Sequence, residues 1–231
     1  MDKEELLDRY EATPDEGTYL QARRLYEAAL AETADDPRLL FEYGYLQECH
    51  GRNSLRAAIS SYERAIEFDP EWAKPRMQLI WASAALLRTD TAIALYKQRL
   101  AAAPDDVREY RYLASAYLVA HEYEQAEQVV RAGLRIAPDD AWLVEQRGDV
   151  RAATGHPDQA LADWRRALAL DPEKIDPRYS AAFLLEREHR LAEAAEEWRH
   201  IIRWLDERGH ALQAEWPRRE LARLLAELGG S

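Results

Sequence analysis

The sequence predicts an all-α solenoid, a stack of antiparallel helical hairpins repeated about six times. Three observations predict it. Pro70, Pro104, Pro138 and Pro172 stand 34 residues apart. Ahead of each proline runs the same phrase: Ala58-Tyr62-Pro70, Ala92-Tyr96-Pro104, Ala126-Val130-Pro138 and Ala160-Trp164-Pro172. Within each unit the apolar residues recur at helical spacing of three and four. A fixed period of this length marks a repeat architecture, in which one hairpin cannot bury its own apolar face and its neighbours do so.

Taken in order, the units are 3–36, 37–72, 73–106, 107–140, 141–174 and 175–208, forming one repeat domain over residues 1–231 with a closing helix at about 210–228. The first unit carries Ala22-Tyr26 with Ala34 in the proline slot, and Thr13-Pro14 cuts its first helix short. The second has two extra residues around Gly51-Arg52-Asn53-Ser54, so its phrase follows the first by 36. The third places Arg99 where other units have a small residue and Leu87 in its turn.

The fourth unit is the clearest. Pro104 ends the preceding helix, and Asp105-Asp106 offer capping oxygens to the next. Tyr110, Leu113, Ala114 and Tyr117 form one apolar stripe, His121-Glu122 a turn, and Ala126, Val129, Val130, Gly133 and Leu134 a second stripe. In the neighbouring units Gly44 and Gly148 replace Ala114, while Ala65 and Ala167 replace Gly133. Small residues fall where two helices must approach closely. The sixth unit has Ala194-Trp198, with Ile201 at a small-residue position and Asp206 for proline. The opening alanines (Ala22, Ala58, Ala92, Ala126, Ala160, Ala194) and the aromatics four residues on (Tyr26, Tyr62, Tyr96, Trp164, Trp198) are therefore expected in the core. Beyond Gly209, Leu221, Leu224, Leu225 and Leu228 make an apolar stripe. It reads first as a terminal cap and second as a dimerisation helix.

Composition sets the class. Apolar residues make up 47% and charged residues 32%, with 9 Gly and 10 Pro, which is a folded, helix-rich balance. The net charge of −12 disfavours broad contact with nucleic acid or an anionic membrane. The single cysteine, Cys49, excludes an intrachain disulfide framework and reads as a small packing residue. The acidic opening Met1-Asp2-Lys3-Glu4-Glu5 precedes no secretory apolar stretch. The expected compartment is the cytoplasm.

These phrases resemble the tetratricopeptide repeat family, a 34-residue motif with a small residue in each helix, an aromatic in the second and a closing proline. The resemblance covers roughly residues 3–206. Leu87 stands where the family's turn usually has glycine. The resemblance implies a right-handed superhelix whose concave wall is lined by the first helix of each unit, and a function in binding proteins or peptides. By register that wall carries Phe41 and Tyr45, Met77 and Trp81, Arg111 and Ser115, Glu145 and Asp149, Tyr179 and Phe183. One turn earlier lie Arg38, Lys74, Arg108, Trp142 and Asp176.

Seven of these fifteen are aromatic or methionine, more than a solvated face needs, and such patches mark interaction sites. Arg38, Lys74 and Arg108 sit near helix N-termini, where cations are disfavoured. The expected ligand is a peptide with apolar anchors and an acidic portion facing Arg108 and Arg111. Family co-chaperones grip the C-terminal carboxylate of heat-shock proteins with lysine and asparagine at these slots. Here the matching paired slots hold Phe41, Tyr45, Met77, Trp81, Arg111, Ser115, Glu145 and Asp149, so that partner class is not expected.

No catalytic, cofactor or metal constellation emerges. The chain has no glycine-rich phosphate loop, G-x-S-x-G or H-E-x-x-H. Glu186 and His189 make one Glu-x-x-His, whereas di-iron bundles need two with further carboxylates. His121, His156 and His189 all fall in turns. The sequence reads as a non-enzymatic scaffold. The alternative is a subunit or self-associating module, with oligomerisation through the C-terminal helix.

Overall fold

The computed structural model describes residues 2–12, 15–50 and 55–229. Thr13-Pro14 and Gly51–Ser54, the predicted irregularities of the first two units, lie outside them. The described residues form thirteen helices and no strand: α1 (Lys3–Ala12), α2 (Glu16–Glu32), α3 (Pro37–His50), α4 (Leu55–Phe68), α5 (Ala73–Ala85), α6 (Thr89–Ala102), α7 (Val107–Val119), α8 (Tyr123–Ile136), α9 (Ala141–Ala153), α10 (Pro157–Leu170), α11 (Asp176–Arg187), α12 (Leu191–Glu207) and α13 (Glu215–Gly229). This is an all-α helical repeat solenoid.

The chain divides into two compact units, residues 1–103 with 115–121, and residues 104–114 with 122–231. In the first, α1 packs on α2, α3 on α4 and α5 on α6, with α2 against α3 and α4 against α5. In the second, α9–α10 and α11–α12 are the hairpins, α8 lies on α9, α10 on α11, and α13 covers α12.

The six phrase alanines are at most 1% exposed, and Tyr26, Tyr62, Tyr96 and Trp198 are fully buried. The small residues are required by contact. A methyl group on Gly148 would stand 2.6 Å from Trp164 Nε1, and one on Gly133 would stand 2.7 Å from Leu143 Cδ1. Buried aromatics also find polar anchors on the helix opposite. Trp164 Nε1 donates to Asp149 (2.9 Å), Trp198 Nε1 to Glu186 (2.7 Å) and Tyr62 Oη to Glu48 (2.7 Å).

Four of the hairpin turns share one geometry. Leu87, His121, Gly155 and His189, spaced by 34, all adopt positive φ. After three of them the next backbone N–H reaches back five residues: Arg88 to Ser83, His156 to Arg151, and Arg190 to Leu185, each 2.8 Å. This closure caps the outgoing helix and demands a left-handed residue. The histidines are thus exposed turn residues.

Two expectations change. Cys49 is exposed, because it lies in the last turn of α3, outside that helix's buried set of Leu39, Leu40, Gly44, Leu46 and Gln47. In α13 only Pro217 and Leu224 are buried; Leu221 is partly covered, and Leu225 and Leu228 stay exposed. The predicted stripe is wider than the surface α12 offers it.

Candidate functional site

In the first unit, Phe41 and Tyr45 lie one turn apart on α3 with nearly parallel rings, 6.2 Å between centroids. Phe41 also meets Trp72 (4.8 Å) and Tyr62 (5.7 Å), which hold it in place. On α5, Lys74, Met77, Gln78 and Trp81 follow at spacings of three, four and seven, one face of a helix. The two faces come together around an open cleft of about 360 Å³, lined by Glu11, Phe41, Tyr45, Lys74 and Gln78. Trp81 is 53% exposed at the end of the same face. Partial burial pushes the Tyr45 phenol upward, with the Cys49 thiol and the Glu11 carboxylate beside it.

Arg38, in contrast, is engaged. Its Nε donates to Glu42 at 3.0 Å, and Glu4 lies 3.8 Å away. Lys74 has no ion-pair partner among the described residues.

In the second unit three of the predicted charges, Arg108, Arg111 and Glu145, are paired within the fold. Arg108 bonds Asp106 through Nε and Nη2 (2.9 and 2.8 Å). Arg111 pairs with Asp140, and Lys174 with Glu145 at 2.8 Å. Arg111 and Glu145 occupy equivalent positions 34 residues apart, as do Asp140 and Lys174, so the same clasp recurs with its charges exchanged. Both cations flank the Trp142 ring, at 5.9 and 5.3 Å.

Glu145 is buried and Ser115 is 8% exposed, so neither presents an open surface. Asp149 is covered by Trp164 above Gly148. Its desolvation, with Glu145 adding like charge, pushes its pKa up to about 7. Tyr179 and Phe183 meet Trp216 of the closing helix at 6.2 and 5.9 Å, and Phe183 keeps half its surface exposed. Asp176 is exposed in the first turn of α11.

The structure therefore brings Phe41, Tyr45 and Lys74 into one cleft, and assigns Arg111 and Glu145 to clasps between hairpins. Glu11 and Gln78 were missed. Gln78 follows Lys74 by four and was open to the same register argument; Glu11, on the irregular first helix, carried no such signal. Among the described residues no cluster of three or more His, Cys, Asp or Glu is placed to hold a metal ion, and no helix is long and apolar enough to cross a membrane.

The sequence profile of the tetratricopeptide repeat matches residues 15–71 and 78–141. The chain belongs to the tetratricopeptide repeat family, whose members generally mediate protein–protein interactions. Among solved structures it is similar to the tetratricopeptide protein TTC0263 of Thermus thermophilus, with 25% identity and a TM-score of 0.62 over 83% of this chain and all of that one. A tetratricopeptide repeat protein from Parabacteroides merdae shares 17% identity, with a TM-score of 0.57 over 99% of this chain and 92% of its own. Yeast Tom70 shares 13% identity and a TM-score of 0.64, covering 96% of this chain and 47% of Tom70. No curated protein sequence matches.

Proposed function

We propose that the chain is a non-enzymatic adaptor whose first unit binds a peptide segment of a partner protein in the cleft between α3 and α5. The observation that carries this reading is an unpaired ammonium, Lys74, set beside the half-buried rings of Phe41 and Tyr45. Such a cleft accepts an apolar or aromatic anchor with a carboxylate next to it. Aromatic side chains are enriched among the residues that carry binding energy at such interfaces, and a complementary charge adds specificity and a faster encounter. Met77 and Trp81 extend the contact along α5 by one further turn. The acidic portion of the ligand faces Lys74, since Arg108 and Arg111 already have partners.

Panning a random peptide library on the protein and on its Lys74→Glu and Trp81→Ala variants tests this. Both side chains are exposed, so the variants keep the fold. The expected result is an enriched motif combining acidic and aromatic residues that Lys74→Glu abolishes. No enrichment, or the same motif from Lys74→Glu, would rule the cleft out.

Self-association is the second reading. It rests on the exposed Leu212 (81%), Trp216, Leu225 and Leu228 in and just before the closing helix. Light scattering over a concentration series separates the two, since self-association requires a mass that is a fixed multiple of 26.7 kDa.

A further inference from the structure

A second surface, in the other unit, is built from arginine. Between α8 and α9 an open cleft of about 340 Å³ is lined by Arg131, Arg135, Arg147 and Arg151, with Glu127 at its edge and Val130 and Leu134 as apolar lining. It adjoins a second recess of about 290 Å³ that reaches α10 and shares Glu127, Arg147 and Arg151.

The cations are held by a buried carboxylate. Asp163 is 3% exposed. It accepts Arg147 Nε at 3.0 Å and Nη2 at 2.6 Å, and Arg151 Nη1 at 2.6 Å. One buried negative charge thus fixes two guanidinium groups, each with further N–H donors to spare. Their side chains remain 28% and 32% exposed. Arg131 is balanced by Glu127 at 2.6 Å, whereas Arg135 is exposed and has no ion-pair partner among the described residues.

Four guanidinium groups therefore face two carboxylates, on a chain whose net charge is −12. Bringing like charges together costs free energy, and a ligand that neutralises them recovers it. Guanidinium groups fixed in advance lose little freedom when a carboxylate docks.

We propose that this arginine cleft is a second docking site, and that its occupant is an acidic peptide segment of a partner protein, with carboxylates on Arg135 and the Arg147–Arg151 pair and an aliphatic side chain on Val130 and Leu134. Charge complementarity selects the anionic class. The apolar lining favours a peptide over a bare phosphate chain.

Fluorescence anisotropy with a rhodamine-labelled hexapeptide, Asp-Glu-Leu-Asp-Glu-Val, tests the site. Wild type is expected to bind it, more weakly as salt rises. Arg135→Glu and Arg131→Glu, both at exposed positions, should each weaken binding by about tenfold. Arg24→Glu, which reverses an exposed arginine of α2 in the first unit, should bind as wild type does, so the loss is specific to the cleft and not a matter of net charge. Circular dichroism melts confirm that the variants fold. No binding by wild type, or binding that survives both arginine reversals, overturns the proposal. Tighter binding of a labelled dT hexanucleotide than of the peptide overturns the choice of occupant.

Discussion

Arg111 ties the start of one hairpin to the cap of the next through Asp140. Two of its guanidinium nitrogens, Nε at 2.9 Å and Nη2, donate to Oδ2 of a carboxylate whose Oδ1 accepts the Leu143 backbone N–H at 3.0 Å. Gln146 Nε2 adds a bond to the Arg111 carbonyl at 2.8 Å. One aspartate thus serves as helix cap and as counter-ion, and an arginine expected on the ligand-facing wall is part of the repeat-to-repeat junction.

Removing Arg111 should therefore act on stability. The Asp140 side chain is 3% exposed and would lose its counter-ion. Arg111→Ala is expected to destabilise the chain by about 1–3 kcal/mol, below the value for a fully buried pair because Arg111 is partly solvated. Urea unfolding measures it. An unchanged midpoint would mean the clasp contributes nothing.

Asp149 should make stability depend on pH. Its folded-state pKa of about 7 lies above the ordinary carboxylate value of 3.8, so the folded chain binds that proton more tightly than the unfolded one. The contribution is complete below pH 4 and is lost as pH rises through 7. Asp149→Asn keeps an acceptor for Trp164 Nε1 and carries no charge. It should raise stability at pH 8 by about 1–3 kcal/mol and flatten the profile between pH 4 and 8. Parallel thermal profiles for the two proteins would refute this.

Gly148→Ala pits helix propensity against packing. Alanine is favoured over glycine in a helix by about 1 kcal/mol, yet its methyl group would meet the Trp164 ring at 2.6 to 2.7 Å. Overpacking should win, with a net loss of about 1–2 kcal/mol. A melting temperature at or above wild type would show that Trp164 moves aside freely.

Leu87→Gly should stabilise, although it deletes an apolar side chain. Leu87 is 88% exposed and held at φ 56°. The left-handed region costs an L-residue about 1 kcal/mol that glycine does not incur. Calorimetry should show a higher melting temperature. A drop would mean the leucine side chain has a partner worth more than the strain.

Trp81→Ala should leave stability within about 1 kcal/mol of wild type, since Trp81 is half exposed. Trp198→Ala should cost about 3–5 kcal/mol, because Trp198 is fully buried and bonded to Glu186. Chemical unfolding of both variants makes the comparison. Equal losses would put Trp81 in the core.

Much of this was present in one dimension. The 34-residue period, the buried alanines and aromatics, the small residues at the crossings and the positions of the turns all follow from sequence, because each reports on contacts within a hairpin or with its immediate neighbour. Local repetition writes such contacts into the chain at fixed spacing. Ala160 and Trp164 needed no coordinates to be placed in the core, nor Gly148 at a helix crossing, whereas the contact of Gly148 with the Trp164 ring came from the structure.

The tertiary structure decided which charges are spent and which are free. Arg111 with Asp140, and Glu145 with Lys174, are pairs 29 residues apart, and the register that placed Arg111 and Glu145 on the wall is blind to what approaches from the next hairpin. The buried Asp163 that gathers Arg147 and Arg151 is equally invisible to periodicity. A helical period says which way a side chain points, but an ion pair depends on distances of a few ångströms between helices, and those exist only once the repeats have stacked.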